Sequence, residues 1–454
     1  MTATTRLALT AAAALAGTHA YATNGMNLEA YGAKAGGMGG ASFAYDSGNS
    51  AVMNNPATLG LKPDGRTDLG VGLTVLMPDV ASRHPMAGES TSSGNAYYMP
   101  SISWMHRAGT LTWGAAVLAQ GGMGTEYGAG SRLFAYGLDS SGNPAPMSGE
   151  DIRSEVGVGR VMFPLAYQVN EALTVAGQID FVWATMDVRM DIDGHTFSQL
   201  VAGTPGVGSV SGSLLSAMPP ATIDYARFDF SDNNDFNGKA KGQGYAGKIG
   251  FVYQLADGLR VGGTYHSKTA INDLTADGAT VKVGTSLGTQ TMTGKITVVD
   301  FQWPETYGVG MSWQATPDLM LAGDIKHISW ADAMKNFTLR FETTGGSMTS
   351  VMEQNWKNQT VLMLGGQYML ASNIALRAGV NLASNPIPDG TLNPLLPAII
   401  KNHYTAGLGW RLAGGHSVAT SLTYAPKVEQ TNPNTGITSS HSQSSLRLNY
   451  NYSY

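Results

Sequence analysis

The sequence contains no cysteine, which excludes disulfide bonds and thiolate chemistry. Charged residues are also scarce, at 13% of 454 residues, against about 25% in an average soluble protein. The formal net charge is −5, so the chain lacks the basic field that attracts nucleic acid, and we expect no nucleic-acid partner. The nine histidines show no metal-ligand spacing, and we expect neither a metal nor a cofactor.

Long apolar runs are missing as well. The run at residues 7–17 follows Arg6 and precedes Ala20-Tyr21-Ala22, which together predict a signal peptide over 1–22. This run is too short to cross a bilayer, which takes about 20 residues, and no other segment is longer. If the mature protein lies in a membrane, it therefore crosses the membrane with strands.

Strand-like alternation is present throughout residues 64–454. In 69–75 and 374–382, for example, every second residue is apolar and the others are small or polar. Six short turns are expected near 108–109, 170–171, 256–258, 316–318, 371–373 and 413–415. Seven longer polar segments are expected at 79–94, 121–154, 191–238, 274–296, 332–352, 384–401 and 426–441. This arrangement predicts an all-β fold, a 14-stranded antiparallel transmembrane β-barrel with tight turns at one end.

The last strand agrees with an outer-membrane location. Leu446, Leu448, Tyr450, Tyr452 and Tyr454 share one face, as in strands that barrel-assembly machinery recognises. A soluble β-sandwich also alternates, but the turn pattern and the 58 glycines favour a membrane barrel. We therefore expect a monomer in contact with outer-membrane lipid and lipopolysaccharide.

Residues 23–63 have no strand period and are rich in glycine. The run 36–40 could be mistaken for a phosphate loop, but it lacks a preceding strand and a lysine-serine pair. Asn54-Asn55-Pro56 predicts the start of a short helix, with asparagine as the cap and proline in the first turn. A segment of this kind is expected to be an N-terminal hatch that fills the lumen of the barrel.

The chain resembles the FadL-type family of outer-membrane transporters for long-chain fatty acids and hydrocarbons. The matching stretches are GMNLEAYG at 25–32, GGMGG at 36–40, DSGN at 46–49, NNPATL at 54–59, QGGMGTEY at 120–127, LVAG at 200–203, YHSK at 265–268 and SNPIP at 384–388. The resemblance implies a hydrophobic substrate that binds against the hatch and leaves sideways through a gap at a kink in strand three. It also implies hatch or gating roles for Gly25, Asn54, Asn55 and Pro56.

The third strand suggests such a kink independently. Its alternation over 111–117 breaks at Gly121, Gly122 and Gly124, and glycines within a strand mark bulges or bends. The other interpretation is that the strand simply ends there. We predict that these three glycines form the lateral gate.

Apolar residues expected to face the lumen are the ligand-binding candidates. The inward face of strand five becomes apolar, whereas a porin lumen is polar, and methionine adapts to flexible alkyl chains. Lys357, expected on the inward face of strand ten, could meet a fatty-acid carboxylate or pair with Glu29 or Asp46. The candidates are Met26, Leu28, Met53, Val182, Met186, Lys357, Val361 and Met363.

Three functions are compatible with these patterns. A gated transporter of hydrophobic compounds accounts for the hatch and the apolar lumen, with loop 191–238 as a landing surface. A general diffusion porin accounts for the barrel alone. A barrel-type lipid hydrolase would use His266 and Ser267, but adjacent strand residues point to opposite faces and no orienting acid is evident. We therefore expect a transporter rather than an enzyme.

Overall fold

The computed structural model describes residues 24–217, 221–232 and 238–454. The predicted signal peptide, residues 1–22, lies outside the described residues. Neither α-helix of the described part, α1 (Ala33–Gly36) or α2 (Gly194–Ala202), has the length and apolar character to cross a membrane. Short 3-10 turns lie at Asn49–Val52, Pro56–Leu61, Arg132–Phe134, Ser213–Ala217, Trp330–Asp332, Asp389–Thr391 and Ala413–Gly415.

Antiparallel strands make up most of the molecule. Their bounds are β1 (Thr67–His84), β2 (Gly88–Thr91), β3 (Tyr97–Ala108), β4 (Leu111–Tyr127), β5 (Tyr136–Leu138), β6 (Pro144–Pro146), β7 (Ile152–Gln168), β8 (Leu173–Asp193), β9 (Gly208–Ser211), β10 (Ile223–Asp229), β11 (Ala240–Ala256), β12 (Leu259–His266), β13 (Ala270–Ile271), β14 (Leu274–Thr285), β15 (Gly288–Val299), β16 (Thr306–Gln314), β17 (Leu319–Ile328), β18 (Asn336–Thr343), β19 (Gly346–Glu353), β20 (Gln359–Ala371), β21 (Ile374–Ala383), β22 (His403–Arg411), β23 (His416–Thr431) and β24 (Thr438–Ser453).

The main sheet closes into a barrel because its last strand pairs with its first. β24 pairs with β1 from Asp68↔Ser453 to Arg83↔Thr438. Around the wall the neighbouring strands are, in order, β1, β3, β4, β7, β8, β11, β12, β16, β17, β20, β21, β22, β23 and β24. Closure pairs the first and last strands of the sheet, which removes the two free edges that an open sheet would expose to lipid.

The prediction of a sheet with only fourteen strands is wrong, because the hydrogen-bonded sheet contains 22 strands, the fourteen named above and eight more that extend it. The segments expected to be polar loops carry strands of their own, namely β2, β9, β10, β14, β15, β18 and β19, and β13 lies just before one of these segments. β14 and β15, for instance, form a hairpin that joins the wall through β10, which pairs with both β14 and β8, and β15 also pairs with β18. Polar and glycine-rich sequence concealed these strands, because their alternation is weak. The six short turns do lie at the expected places.

Large apolar side chains on the wall point outward. On β1, Leu69 and Val71 are 42% and 50% exposed, whereas their neighbour Gly70 faces the interior. Tyr450 of β24 is likewise exposed. This outward apolar face matches the lipid-facing band of outer-membrane barrels.

Residues 24–61, here called the leading segment, lie inside the barrel. Its backbone N–H groups donate to Thr405 Oγ1 of β22 (3.0 Å) and to Asp324 Oδ2 of β17 (2.6 Å). Asn55 Nδ2 donates to the carbonyl of Phe251 on β11 over 2.8 Å. Since β11, β17 and β22 lie on different sides of the wall, a segment bonded to all of them must lie within it.

Candidate functional site: a cavity at an opening in the wall

The wall is open between β3 and β4. These strands pair only from Ser101↔Leu118 to Ala108↔Leu111. Beyond that point β3 stays with β1 while β4 stays with β7, so residues 97–100 and 119–125 separate. Farther out, the connection that precedes β3 contacts β4, where Ser93 N donates to the carbonyl of Glu126 over 2.8 Å. We call the gap between these two contacts the wall opening.

The leading segment bonds to the strand edge that β3 leaves. Asn27 forms an antiparallel bridge with Gly121, and Gly122 N donates to the carbonyl of Met26 over 3.0 Å. A Cβ at Gly121 would lie 2.2 Å from that carbonyl oxygen. Glycine is therefore needed here for the close approach of two backbones.

β4 has an irregular register at Gln120. The register between β4 and β7 shifts between Ala119 and Gly121, which makes Gln120 the extra residue of a β-bulge. Its carbonyl accepts the hydroxyl of Tyr31 over 2.6 Å, and its side chain accepts Arg160 Nε. The bulge is thus held both by the leading segment and by the wall.

The Arg160 side chain belongs to a buried polar network that sequence reasoning missed. Arg160 Nη1 lies 3.1 Å from Asp180 Oδ2, and His266 Nε2 lies 2.8 Å from the same oxygen. The three residues come from β7, β8 and β12, so no local motif signals their meeting. They also correct one expectation, because His266 does have an acidic partner. Ser267 does not join it, since its Oγ accepts Gly247 N.

A cavity of about 560 Å³ lies at the wall opening. Its inner wall is formed by the leading segment, and its outer rim includes side chains that face the membrane. Inner lining residues are Gly25, Met26, Asn27, Leu28 and Glu29. Rim residues include Tyr98, Val117 and Trp183, which are all exposed on the outside of the barrel. The cavity therefore extends from the interior of the protein to its lipid-facing surface.

Tyr97 lies across part of the wall opening. A Cβ added to Gly124 would lie 2.7 Å from the Tyr97 hydroxyl oxygen. Glycine at this position leaves space for the tyrosine ring between the two separated strands. The predicted gate glycines, Gly121, Gly122 and Gly124, all line the cavity together with Tyr97.

The charges around the cavity are mainly negative. Glu29, Glu126 and Glu155 line it, and Arg153 is its one lysine or arginine among the described residues. Arg153 Nη2 pairs with Glu155 over 2.7 Å. An anionic solute that entered the cavity would therefore meet a cation, Arg153, that already has a carboxylate partner.

Glu29 anchors the leading segment to the last strand. Arg447 Nη2 donates to Glu29 Oε1 over 2.7 Å, and both side chains are buried. Burial alone would raise the pKa of Glu29, but the Arg447 guanidinium outweighs burial and holds it at about 2. The carboxylate is thus ionised and paired inside the barrel.

The ligand candidates fall into separate groups. Met26 and Leu28 line the cavity. Met53 packs in another cluster, with Met105 and Met162. The remaining apolar candidates, which do not line the cavity, are buried in the large interior cluster and are Val182, Met186, Val361 and Met363. That cluster also contains three tryptophans, in which the Trp330 ring contacts the rings of both Trp303 and Trp356.

The placement of Lys357 was wrong. β20 begins at Gln359, and Lys357 lies before it with an exposed side chain. The inward face does contain Gln359, Val361 and Met363, all buried. The strand begins two residues after the predicted position, and β20 contains no lysine.

The Asn-Asn-Pro stretch has the expected local structure. Asn55 caps the 3-10 turn Pro56–Leu61 by accepting Ala57 N, and it also donates to the carbonyls of Phe43 and Phe251. Asn54 donates to the carbonyl of Tyr31 over 3.1 Å. Gly25 has φ +63°, and a Cβ there would meet the Trp330 ring at 2.6 Å. These residues hold the leading segment in its folded form.

No group of His, Asp and Glu side chains within the described ranges is arranged to hold a metal ion.

The sequence model of the family described as Outer membrane protein transport protein (OMPP1/FadL/TodX) matches residues 9–453.

Two solved structures share the whole architecture. The P. putida toluene transporter TodX has a TM-score of 0.81 at 26% identity, over 94% of this chain and 99% of that chain. The Ralstonia pickettii toluene transporter TbuX has a TM-score of 0.77 at 26% identity, with the same coverage.

Among curated sequences, the putative outer membrane protein NMB0088 of Neisseria meningitidis serogroup B is 25% identical over 228 residues, which is 46% of this chain and 48% of that protein. The chain spans about a third to a half of the length of the curated relatives it matches. The family match, in contrast, extends over nearly the whole chain. The protein therefore belongs to the OMPP1/FadL/TodX family of outer-membrane transport proteins.

Proposed function

We propose that the protein carries neutral hydrophobic compounds of the hydrocarbon class across the outer membrane. In this proposal the leading segment is a hatch, and the substrate leaves sideways through the wall opening. The observation that supports it is the cavity that joins Met26 and Leu28 to the lipid-facing residues Tyr98 and Val117. An apolar solute using this route would pass from the interior to lipid without entering water below the membrane.

The charges of the cavity favour a neutral substrate over a long-chain fatty acid. A carboxylate would face Glu126 and Glu155, and Arg153 already has a carboxylate partner. An unpaired charge in a desolvated site is costly. Lys357, the candidate anchor for a fatty-acid carboxylate, lies outside the cavity lining.

The named relatives support the same substrate class. TodX and TbuX are toluene transporters, and an apolar pocket accepts such rings without directional polar contacts. Lipid, lipopolysaccharide and barrel-assembly machinery as partners, and a monomeric state, belong to the same proposal. The outward aromatic residues Tyr450 and Tyr454 of the last segment are compatible with it.

Two matched pairs of probes test the proposal: toluene with benzoate, and dodecane with dodecanoate. Each pair shares its apolar part and differs in a carboxylate. Toluene and dodecane should enter vesicles that contain the purified protein faster than they enter protein-free vesicles. The acids should show little protein-dependent uptake at neutral pH.

Preference for dodecanoate would contradict the neutral-substrate proposal and restore a fatty-acid transporter. Equal permeation of all four probes, together with large ion conductance in planar bilayers, would instead indicate a general diffusion porin. Absence of protein-dependent uptake of every probe by a folded barrel would contradict transport through this site.

A further inference from the structure

A second cavity lies at the short-turn end of the barrel, away from the wall opening. It has a volume of about 310 Å³, comparable to roughly ten water molecules. One side is formed by the leading segment around Lys34 and Asp46. The other side is formed by the wall, including Arg377 of β21 and Arg411 of β22. Both sides are thus needed to make it.

Positive charge predominates in this cavity. Its lining contains two carboxylates, those of Asp46 and Asp68. The cationic lining residues are Lys34, Lys62, Arg66, Arg377 and Arg411. Five cations against two carboxylates leave an excess of three positive charges. The lining of the cavity at the wall opening has the opposite net charge, with three glutamates and one arginine.

The excess charge is concentrated on the two arginines of the wall. Asp68 already pairs with Lys62 at 2.5 Å and with Arg66 at 2.7 Å. Within the described residues, Arg377 and Arg411 have no carboxylate partner. Nη1 of Arg377 is buried and makes no hydrogen bond, although Nε donates to Gln367 Oε1 over 2.8 Å.

The wall makes space for the Arg377 guanidinium. A Cβ at Gly409 on the neighbouring strand would lie 2.8 Å from both Nη1 and Nη2 of Arg377. Arg411 follows on that strand with its side chain on the same face, and its Nη2 donates to the carbonyl of Ser372. A guanidinium with a free edge matches the geometry of an oxyanion.

The field in the cavity already favours negative charge. Burial would raise the pKa of Asp46, but Lys34 and Lys62 outweigh burial and hold the pKa well below its usual range. Burial lowers the pKa of Lys34, and the nearby cations Arg377 and Arg411 lower it further. An additional anion would relieve this repulsion between cations.

We propose that this cavity binds a small oxyanion, a phosphate- or carboxylate-bearing solute that enters from the short-turn end. Arg377 and Arg411 supply the hydrogen bonds, and Lys34 supplies charge from the opposite side. Because the lining joins the leading segment to the wall, the bound anion also stabilises the leading segment in place. This site is separate from the route proposed for hydrophobic compounds.

Inorganic phosphate and succinate are suitable probes, with chloride as a monatomic anion for comparison. Isothermal titration of the purified, detergent-solubilised barrel should show saturable binding of both oxyanions and far weaker binding of chloride. Arg377→Gln should weaken oxyanion binding about tenfold or more, as expected for the loss of charge-assisted hydrogen bonds. Arg411→Gln should weaken it several-fold.

Arg132→Gln is the matched control, because it removes one exposed arginine that is not part of this cavity. It should leave oxyanion binding unchanged. If Arg377→Gln fails to fold, Arg411→Gln at the exposed rim decides the question. The proposal is overturned if folded wild-type protein shows no saturable oxyanion binding, or if folded Arg411→Gln binds as tightly as wild type.

Discussion

Asn27 of the leading segment and Gly121 of β4 form an antiparallel bridge on the strand edge that β3 leaves unpaired. The indole of Trp303 reinforces this contact by donating Nε1–H to Asn27 Oδ1 over 2.7 Å. The leading segment is therefore part of the hydrogen bonding of the wall at the opening. Displacing the segment would leave backbone groups of β4 without hydrogen-bond partners.

The Glu29–Arg447 ion pair should be one main anchor of the leading segment. Glu29→Gln leaves a buried guanidinium without its carboxylate, and we expect the free energy of unfolding to fall by about 3–5 kcal/mol. The matched control is Glu429→Gln, which removes the exposed pair with Arg83 and should cost less than about 1 kcal/mol. The stability loss of each variant is measured from the temperature at which the protein converts from the folded to the heat-denatured electrophoretic form. Equal shifts in the two variants would contradict the anchoring role.

The same pair predicts a pH dependence with a defined sign. The pKa of Glu29 is about 2 in the folded protein, below its ordinary value of 4.5. A carboxyl group whose pKa is lowered by folding stabilises the folded state above the ordinary pKa and loses that effect as the pH falls through the folded pKa. The stability difference between wild type and Glu29→Gln should therefore be constant above about pH 5 and shrink towards pH 2. A difference that stays constant down to pH 2 would contradict this assignment.

Tyr31→Phe tests whether the leading segment stabilises the β-bulge. The variant removes the hydroxyl that donates to the Gln120 carbonyl over 2.6 Å, and it should lower the free energy of unfolding by about 1 kcal/mol. Amide exchange should rise at Gly121 and Gly122 in particular. Tyr245→Phe is the control, because Tyr245 is 66% exposed on the outer face. Uniform exchange changes along β4 would contradict a local effect on the bulge.

The residue pattern alone locates the glycine break at Gly121, whereas a gap in the wall was implied only by the family resemblance. The break is visible because it interrupts a two-residue period within one strand. The opening exists because β3 stops pairing with β4 after Ser101↔Leu118, and pairing between strands leaves no local signal. The network of Arg160, Asp180 and His266 was missed for the same reason, since its members lie on three strands.

The other wrong predictions arose because the sequence does not show where strands begin and end. Lys357 was placed on an inward face because Gln359, Val361 and Met363 follow it at two-residue spacing, and alternation does not show where a strand begins. The segment that contains β14 and β15 is predicted as a loop, because it is rich in glycine and threonine. In contrast, the turns and the Asn55 cap depend on local chemistry and were predicted correctly.

Glu126→Gln should weaken the discrimination against carboxylates. Glu126 lines the cavity at the wall opening, and its removal lowers the repulsion of a second anion. Because the charge lies in a partly exposed site, we expect roughly a two- to fivefold gain in benzoate uptake, with toluene uptake unchanged. The control is Glu429→Gln on the outer surface. An equal gain in both variants would attribute the effect to overall charge rather than to the cavity.

The wall opening can be blocked by a side chain without disturbing the leading segment. Tryptophan at Gly121 or Gly122 would not test this, because a Cβ there would lie 2.2 Å from the Met26 carbonyl or 2.1 Å from the Val156 carbonyl. Ala119 is better placed, since it lines the cavity and lies on the outward face of β4 just before the bulge. Ala119→Trp should therefore fill the opening from the membrane side while the barrel stays folded.

Ala115→Trp provides the matched control for that variant. Ala115 lies on the same face of the same strand, but opposite Trp104 where β3 and β4 are still paired. We expect Ala119→Trp to reduce toluene uptake about tenfold or more, since a ring-sized substrate and an indole cannot share the opening. Ala115→Trp should transport normally, and both variants should show wild-type heat-modifiable mobility. Normal toluene uptake by folded Ala119→Trp would mean that substrate leaves the barrel by another route. The same result would not contradict the oxyanion site proposed at the short-turn end.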